Sequence, residues 1–502
     1  MRKYLLEMIV FVSGAAVMIL ELVGSRILAP YVGTTILVWT SLIGIILASL
    51  SIGYWLGGII ADRYPRIQLL AGIIYLAGIS IGFTSLIKEP FLSLLQENIA
   101  DIRFSSILAT LSLFSLPSIL LGMVLPFSVR LKLDNLKHSG ATTGLLYALS
   151  TLGSIVGTFL AGFFLISYLG HHKILVLLSI ILMLFSVETY IFHSSKFKTN
   201  LVLLLLTGAI SFLLLSHPVS AQTLVDIDTD YNRVILKEGR DGATGRPVLN
   251  LFIGNALDSV MFLDGNNENA SAYLEFFRLG EHFRPTMERV LMIGGGGYLY
   301  PRAFLERNEG VWVDIVEIDP KVTQLAKEYF LFKEDGRSIV YREDARTFLN
   351  KSENIYDAIF VDVCDRAGCP FQLMTQEAIE EMYNSLEKDG IVVVNLVPSI
   401  EGPGGEVVRA VFKTYKTIFS QVYLFPVSNP QDGYIFQNVI LVASKSDEAL
   451  EFISEDPEIS QYLSHLWTKD FSLDVPIFTD DFAPIDQYFI PYASKKAWRI
   501  LE

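Results

Sequence analysis

The chain has 502 residues, a formal net charge of -14 and only two cysteines. The acidic balance argues against a nucleic-acid partner, which favours basic patches. Two cysteines exclude a disulfide scaffold and a cysteine-based structural zinc site, so no metal is expected, while one disulfide between Cys364 and Cys369 stays open.

Hydrophobic residues make up 51% of the chain, above the usual soluble share, and the excess lies before about residue 217. A spanning helix needs about 20 apolar residues. Seven segments reach that length, near 8–28, 36–61, 68–88, 104–127, 142–169, 173–193 and 200–216. Small residues recur in SIGYWLGGIIA and TLGSIVGTFLAGFF, the composition of closely packed membrane helices. A multi-pass membrane domain over 1–217 is therefore expected, with the lipid bilayer as a partner. Basic residues follow the second, fourth and sixth segments (Arg63 and Arg66; Arg130, Lys132 and Lys137; Lys196 and Lys198), which places the N-terminus in the cytoplasm. Seven spans would then put the C-terminal half outside. The seventh segment also reads like an export signal, with a basic start, an apolar middle and a small-residue end. Glu21 is a carboxylate within an apolar span. It is either a functional group or a partner of Arg26 or a helix end.

From Ala221 the pattern changes. VILKE, VLNLFIG and SVMFLDG are short β-branched runs between turn residues, and predict a small β-rich module over 218–285. From 286 to 502 strands and helices alternate: RVLMI, then YLYPRAFLER, VWVDIV, KVTQLAKEYF, SIVY, YDAIFVDV, TQEAIEEMYNSLEKDG and IVVVNLVP. That alternation predicts a parallel, doubly wound α/β sheet of Rossmann-like type. Such sheets bind ligands at the carboxyl ends of their strands.

The polar residues fall at those ends. Gly294 to Gly297 follow the first strand, where missing side chains let a ligand approach the backbone, and a tight structural turn is the alternative. Glu317 ends the second strand, where an acidic side chain can bind both ribose hydroxyls. Asp344 and Ala345 follow the third strand, at the place of an adenine edge. Asp362 and Asp365 follow the fourth. Each alone could be a turn residue or a helix cap. Four strand ends with these residue types in this order point to a nucleoside ligand.

The stretches VLMIGGGG, VDIVEIDP, YREDARTFL and YDAIFVDVCD, with its D-x-x-D, resemble the catalytic domain of spermidine synthases, the polyamine aminopropyltransferases. The β-rich module with TDYNRV resembles that family's N-terminal strand domain, and ILELVGSRILAPYVGTTILVWTSLIG, YWLGGIIADR and TDDFAPID resemble its membrane-fused branch. The loop GGIIADRYPR is also similar to one in major-facilitator transporters. The resemblance implies decarboxylated S-adenosylmethionine as co-substrate, a diamine such as putrescine as acceptor, and no tightly bound cofactor. It implies Asp362 as base, Asp365 as the residue that orients the acceptor, Gly294, Gly296, Glu317, Asp344 and Ala345 on the donor, and Tyr231, Asn232 and Asp258 on the substrate. A homo-oligomer is a further implied partner.

Several positions depart from the family pattern. Its GGGDG loop ends here in Gly297 and Tyr298, without the aspartate. Its Tyr-His-Glu becomes Tyr273, Leu274 and Glu275. Asp258 stands in place of an expected glutamine, and Arg366 to Cys369 replace Pro-x-Gly-Pro. Two alternatives therefore remain: a transferase of the same fold using ordinary S-adenosylmethionine, and a transporter whose second domain senses a nucleoside or polyamine. The membrane side of the catalytic domain stays open, because loop charges favour outside and cytosolic donor supply favours inside. For Asp480 and Asp481, a loop near the site and a helix cap are both open.

Overall fold

In the computed structural model the described residues are 4–33, 36–99, 101–133, 139–193, 197–215, 223–254, 256–264, 269–334, 336–364 and 368–489. The chain divides into two compact units, Met1–Ser220 with Ile227–Arg233, and Ala221–Asp226 with Val234–Glu502.

The first unit is helical: α1 Leu5–Val32, α2 Ile36–Arg63, α3 Ile67–Asn98, α4 Ile102–Lys132, α5 Ser139–Leu160, α6 Ile166–Phe192 and α7 Phe197–Leu215. Among the described residues six stretches are long and apolar enough to cross a membrane: α1 to α4, Ser139–Leu165 and Tyr168–Phe192. The expected seventh span is corrected here. Among the described residues α7 carries only the shorter apolar stretch Val202–Leu214, which leaves about six spans rather than seven. A single π-helical turn, Ala161–Leu165, joins α5 to α6. Within α6, Gly170 leaves helical geometry at φ 72°.

Apolar side chains gain nothing by leaving lipid for one another, so close backbone approach must hold such a bundle. A Cβ on Gly153 of α5 would lie 2.0 Å from the Phe11 carbonyl oxygen of α1. One on Gly53 of α2 would lie 2.3 Å from the Ile119 carbonyl oxygen of α4. Ile227–Arg233 belong to this unit: Asp228 accepts from the backbone N–H of His171 and lies 2.7 Å from its Nδ1. Arg26 donates to the carbonyls of Asp230 and Tyr231. The suggested Arg26–Glu21 pair is not among the ion pairs of the described residues, and none of their hydrogen bonds reaches the Glu21 carboxylate.

Beyond the helices, β1 Thr223–Asp228, β2 Arg233–Arg240, β3 Pro247–Ile253 and β4 Ala256–Phe262 form a sheet in sequence order. Two short helices follow, α8 Ala272–Glu275 and α9 Arg278–Phe283. Then come β5 Arg289–Ile293, α10 Leu299–Arg307, β6 Trp312–Val316, α11 Pro320–Tyr329, β7 Ser338–Tyr341, α12 Ala345–Leu349, β8 Tyr356–Val361, α13 Gln376–Asn384 and β9 Leu386–Leu396. The chain continues through α14 Glu406–Tyr415, β10 Gln421–Pro426, β11 Val439–Ser444, α15 Pro457–Leu463 and α16 Ile485–Phe489.

The larger sheet runs β10-β11-β9-β8-β5-β6-β7. Its centre is parallel, as expected, and its β11 and β10 edge is antiparallel, which makes the sheet mixed. All six residues of β8 and all six of β11 are buried, which follows from helices covering both faces. Helix starts follow capping chemistry: the Asp319 side chain accepts from the Lys321 N–H ahead of α11, with Pro320 in the first turn, and Thr375 accepts from Ala378 ahead of α13. The helix expected to reach Gly390 ends at Asn384, and residues from Leu386 extend β9 instead.

Candidate active site

The carboxyl ends of β5 and β8 lie side by side in parallel register, Ile293 beside Val361. Each strand then hands over to a loop, and the two loops touch. The Asp362 N–H donates to the Ile293 carbonyl at 2.8 Å, and a Cβ on Gly294 would fall 2.2 Å from the Asp362 carbonyl oxygen. Gly294 and Gly296 adopt φ of 89° and 50°, which glycine reaches without steric cost. Tyr298 closes the turn, its buried ring 4.4 Å from that of Phe332 and its hydroxyl 2.7 Å from that of Thr323.

Beside this turn lies a small, narrow cavity lined by Asp258, Tyr273, Gly294 to Gly296, Phe360 and Asp362 among others. Asp362 is held from both sides. The Asn395 amide donates to its Oδ1 at 2.9 Å and the Tyr273 hydroxyl to its Oδ2 at 3.0 Å. Asn395 is oriented in turn by Asn438, which donates to its Oδ1 at 2.9 Å. Burial raises the Asp362 carboxyl to about 7; the Asn395 bond opposes the rise, nearby Asp258 adds to it, and the Tyr273 bond opposes it. A carboxylate poised near neutrality suits proton transfer to and from an amine.

Glu317 is 8% exposed, and its oxygens accept from the backbone N–H groups of Gly295 and Asp319, each at 2.8 Å. Burial pushes its carboxyl up to about 7, against those two hydrogen bonds. It therefore fixes the glycine turn whatever else it binds. Asp344 caps α12 by accepting from Thr347 at 2.9 Å, and Ala345 is buried in the first turn.

Of the sequence-expected site residues, the structure gathers Asp258, Gly294, Gly296 and Asp362 around one cavity, with Glu317 bonded to its glycine turn. Tyr231 and Asn232 do not line it. They sit in the helical unit, where the Thr229 hydroxyl accepts from their N–H groups at 3.1 and 3.0 Å. Asp365 lies outside the described residues. Cys364 and Cys369 form a disulfide. Asp480 serves as a structural tie, accepting from Arg346 at 2.8 Å and from Thr375 at 2.7 Å. Asn395 and Asn438 were not expected from the sequence. Asn395 is the lone polar residue in IVVVNLV, an interruption in an otherwise apolar strand.

Comparison with known proteins adds to this geometry. Residues 275–448 match the spermine/spermidine synthase domain family. A polyamine aminopropyltransferase of Vibrio vulnificus (strain CMCP6) is 29% identical over 225 residues, covering 42% of this chain and 73% of that protein. Another, from Alkaliphilus metalliredigens (strain QYMF), is 34% identical over 157 residues, covering 30% of this chain and 55% of that one. An N-terminal histidine N-methyltransferase of Emericella nidulans (strain FGSC A4 / ATCC 38163 / CBS 112.46 / NRRL 194 / M139) is 33% identical over 163 residues, covering 31% of this chain and 28% of that protein. The chain thus spans 73% of the first of these relatives and about half or less of the other two. In its C-terminal part, which follows six long apolar helices among the described residues, the chain thus matches the spermine/spermidine synthase domain family and is similar to polyamine aminopropyltransferases.

Proposed function

We propose that the protein is a membrane-tethered aminopropyltransferase that moves an aminopropyl group from decarboxylated S-adenosylmethionine to a diamine such as putrescine. The carrying observation is Asp362, a carboxylate near neutrality, held by Asn395 and Tyr273 beside a side-chain-free turn. In the reaction the acceptor's ammonium gives a proton to the Asp362 carboxylate. The freed nitrogen lone pair attacks the aminopropyl carbon bound to sulfur. The C–N bond forms as the C–S bond breaks, and its electron pair leaves on sulfur as the neutral thioether methylthioadenosine. The product nitrogen is then a secondary ammonium with two protons, and it keeps both or gives one to solvent.

The turn at Gly294 and Gly296 would receive the donor's backbone-facing side. Glu317 would accept from the ribose hydroxyls with its remaining lone pairs, and Asp344 and Ala345 would border the adenine. By its sequence position, Asp365 would orient the acceptor. No tightly bound cofactor is needed for this displacement.

Six spans support a cytoplasmic catalytic domain. With the N-terminus in the cytoplasm, an even number of crossings returns the catalytic domain to the compartment where the donor is made. Both cysteines are paired, so single cysteines introduced near Ser472 and probed with an impermeant thiol reagent would test this. Labelling from outside intact cells would refute it.

A second reading has a specific support. The histidine methyltransferase likeness and the missing loop carboxylate at Gly297 both fit a transferase that uses ordinary S-adenosylmethionine. Turnover by the detergent-purified full chain separates the two. Methylthioadenosine formed only from the decarboxylated donor, and lost in Asp362→Asn, supports the first reading. Transfer from ordinary S-adenosylmethionine supports the second.

A further inference from the structure

The charge around the cavity has one sign. Asp258 and Asp362 are its charged lining residues, and no lysine, arginine or histidine stands among the described residues that line it. The two carboxylates are not equivalent. Asp362 has both oxygens occupied by positioning donors. Asp258 receives only neutral donors, the Ser259 hydroxyl at 2.7 Å and the backbone of Gly297, so no protein cation compensates it. Burial raises its carboxyl above the usual range, so the group stays ionised most readily when a ligand cation stands beside it.

The placement of Asp258 explains why the adjoining turn bears no side chain. A Cβ on Gly297 would sit 2.8 Å from the Ser259 Cβ, and one on Gly296 would sit 2.4 Å from Asp258 Oδ2. Strand β4 fills the space that loop side chains would take. The turn supplies N–H groups, and the strand supplies the charge over it. The Gly297 N–H donates to the Ser259 hydroxyl at 2.9 Å, and that hydroxyl donates to Asp258, so turn and carboxylate are fixed as one piece.

We infer that Asp258 selects the donor: its carboxylate receives the terminal ammonium of the transferred arm and turns away a donor that carries a carboxylate on that arm. This rests on the aminopropyltransferase reading above. An ammonium meeting Asp258 forms a charge-assisted hydrogen bond in a site with few competing donors. An α-carboxylate brought to the same place would face Asp258 with no cation to offset it, and like charges in one site are strongly disfavoured.

The test is isothermal titration of the detergent-purified full chain with methylthioadenosine, decarboxylated S-adenosylmethionine and ordinary S-adenosylmethionine. Methylthioadenosine reports the nucleoside site without the arm. In Asp258→Asn its affinity is expected to stay within about twofold, while the decarboxylated donor weakens about tenfold or more. The preference for that donor over ordinary S-adenosylmethionine should shrink by a similar factor, and Asp258→Glu should retain it. An unchanged affinity for the decarboxylated donor in Asp258→Asn would overturn the inference. So would equal weakening of all three ligands, which would mark Asp258 as a support for the turn. A wild-type protein that binds methylthioadenosine with no preference between donors overturns this inference alone. One that binds no nucleoside overturns the reading beneath it as well.

Discussion

Replacing Asn395 by valine tests the electrostatic tuning of Asp362 directly. Asn395 lies in β9, 2% exposed, and donates to Asp362 Oδ1 at 2.9 Å. Valine suits a buried strand and deletes that donor. A hydrogen bond to a charged group contributes about 1.5–3 kcal/mol, and one pKa unit corresponds to about 1.36 kcal/mol. Losing the bond should therefore raise the Asp362 carboxyl by about one to two units, from about 7 in the native site. The base works ionised, so the acid limb of kcat/KM should move upward by the same amount. At neutral pH the variant should be about tenfold or more slower, and it should recover toward wild type as the pH approaches about 9. The assay is methylthioadenosine release across pH with the donor held below its KM. Protonation of the acceptor amine affects both proteins alike and cancels in their ratio. A rate ratio that stays flat with pH would refute the reasoning, since misfolding or lost packing lowers the rate without moving the limb. Asn438→Ala should shift the limb in the same direction but less, because Asn438 acts through Asn395.

Other consequences can be measured separately. Asp362→Asn should lower kcat by about 10²- to 10⁴-fold, the range for loss of a general base. The same variant should be more stable than wild type at pH 8 but not at pH 5. A carboxyl whose folded pKa is raised contributes stability that is present below its unfolded pKa and lost as pH rises through about 7, and asparagine removes that loss; denaturant midpoints at the two pH values would show it. Gly296→Ala should weaken methylthioadenosine binding and cost about 1–3 kcal/mol of stability, because φ is 50° there and the added Cβ would lie 2.4 Å from Asp258 Oδ2; wild-type melting and binding would contradict it. Gly153→Leu should lower the melting temperature in detergent, since it forces apart α1 and α5 at the Phe11 carbonyl; an unchanged melt would show that this crossing does not hold the bundle.

The parallel centre of the sheet was legible because its strands are buried on both faces. RVLMI, VWVDIV and YDAIFVDV read as continuous apolar runs, and each ends in the polar residues that border the site. The antiparallel edge was not legible, because QVYLFP and VILVAS carry no mark of direction. The end of α13 was misplaced for a local reason. LEKDG has the polarity of a helix end, but its backbone continues β9 beside Tyr356. The seventh expected span falls on α7, whose described residues carry only the shorter apolar stretch Val202–Leu214. Within the site, Asp362 and the glycine turn could be named from their places at strand ends, and Asp258 only from the family resemblance. Asn395 and Asn438 could not, since neither residue type announces a partner lying 33 or 43 positions away in the chain.

The interlock of strand β4 with the glycine turn also constrains how such a site can change. Position 297 cannot take on a side chain while Ser259 keeps its place, since their Cβ atoms would lie 2.8 Å apart. A carboxylate can migrate from the strand to the turn only if the strand residue beside it shrinks in the same step. Of the two single changes, one clashes and the other leaves the arm of the substrate without a counter-charge. Descendants of this sequence should therefore alter positions 258, 259 and 297 together, and a library that varies them one at a time would find only weakened enzymes on either side of the divide.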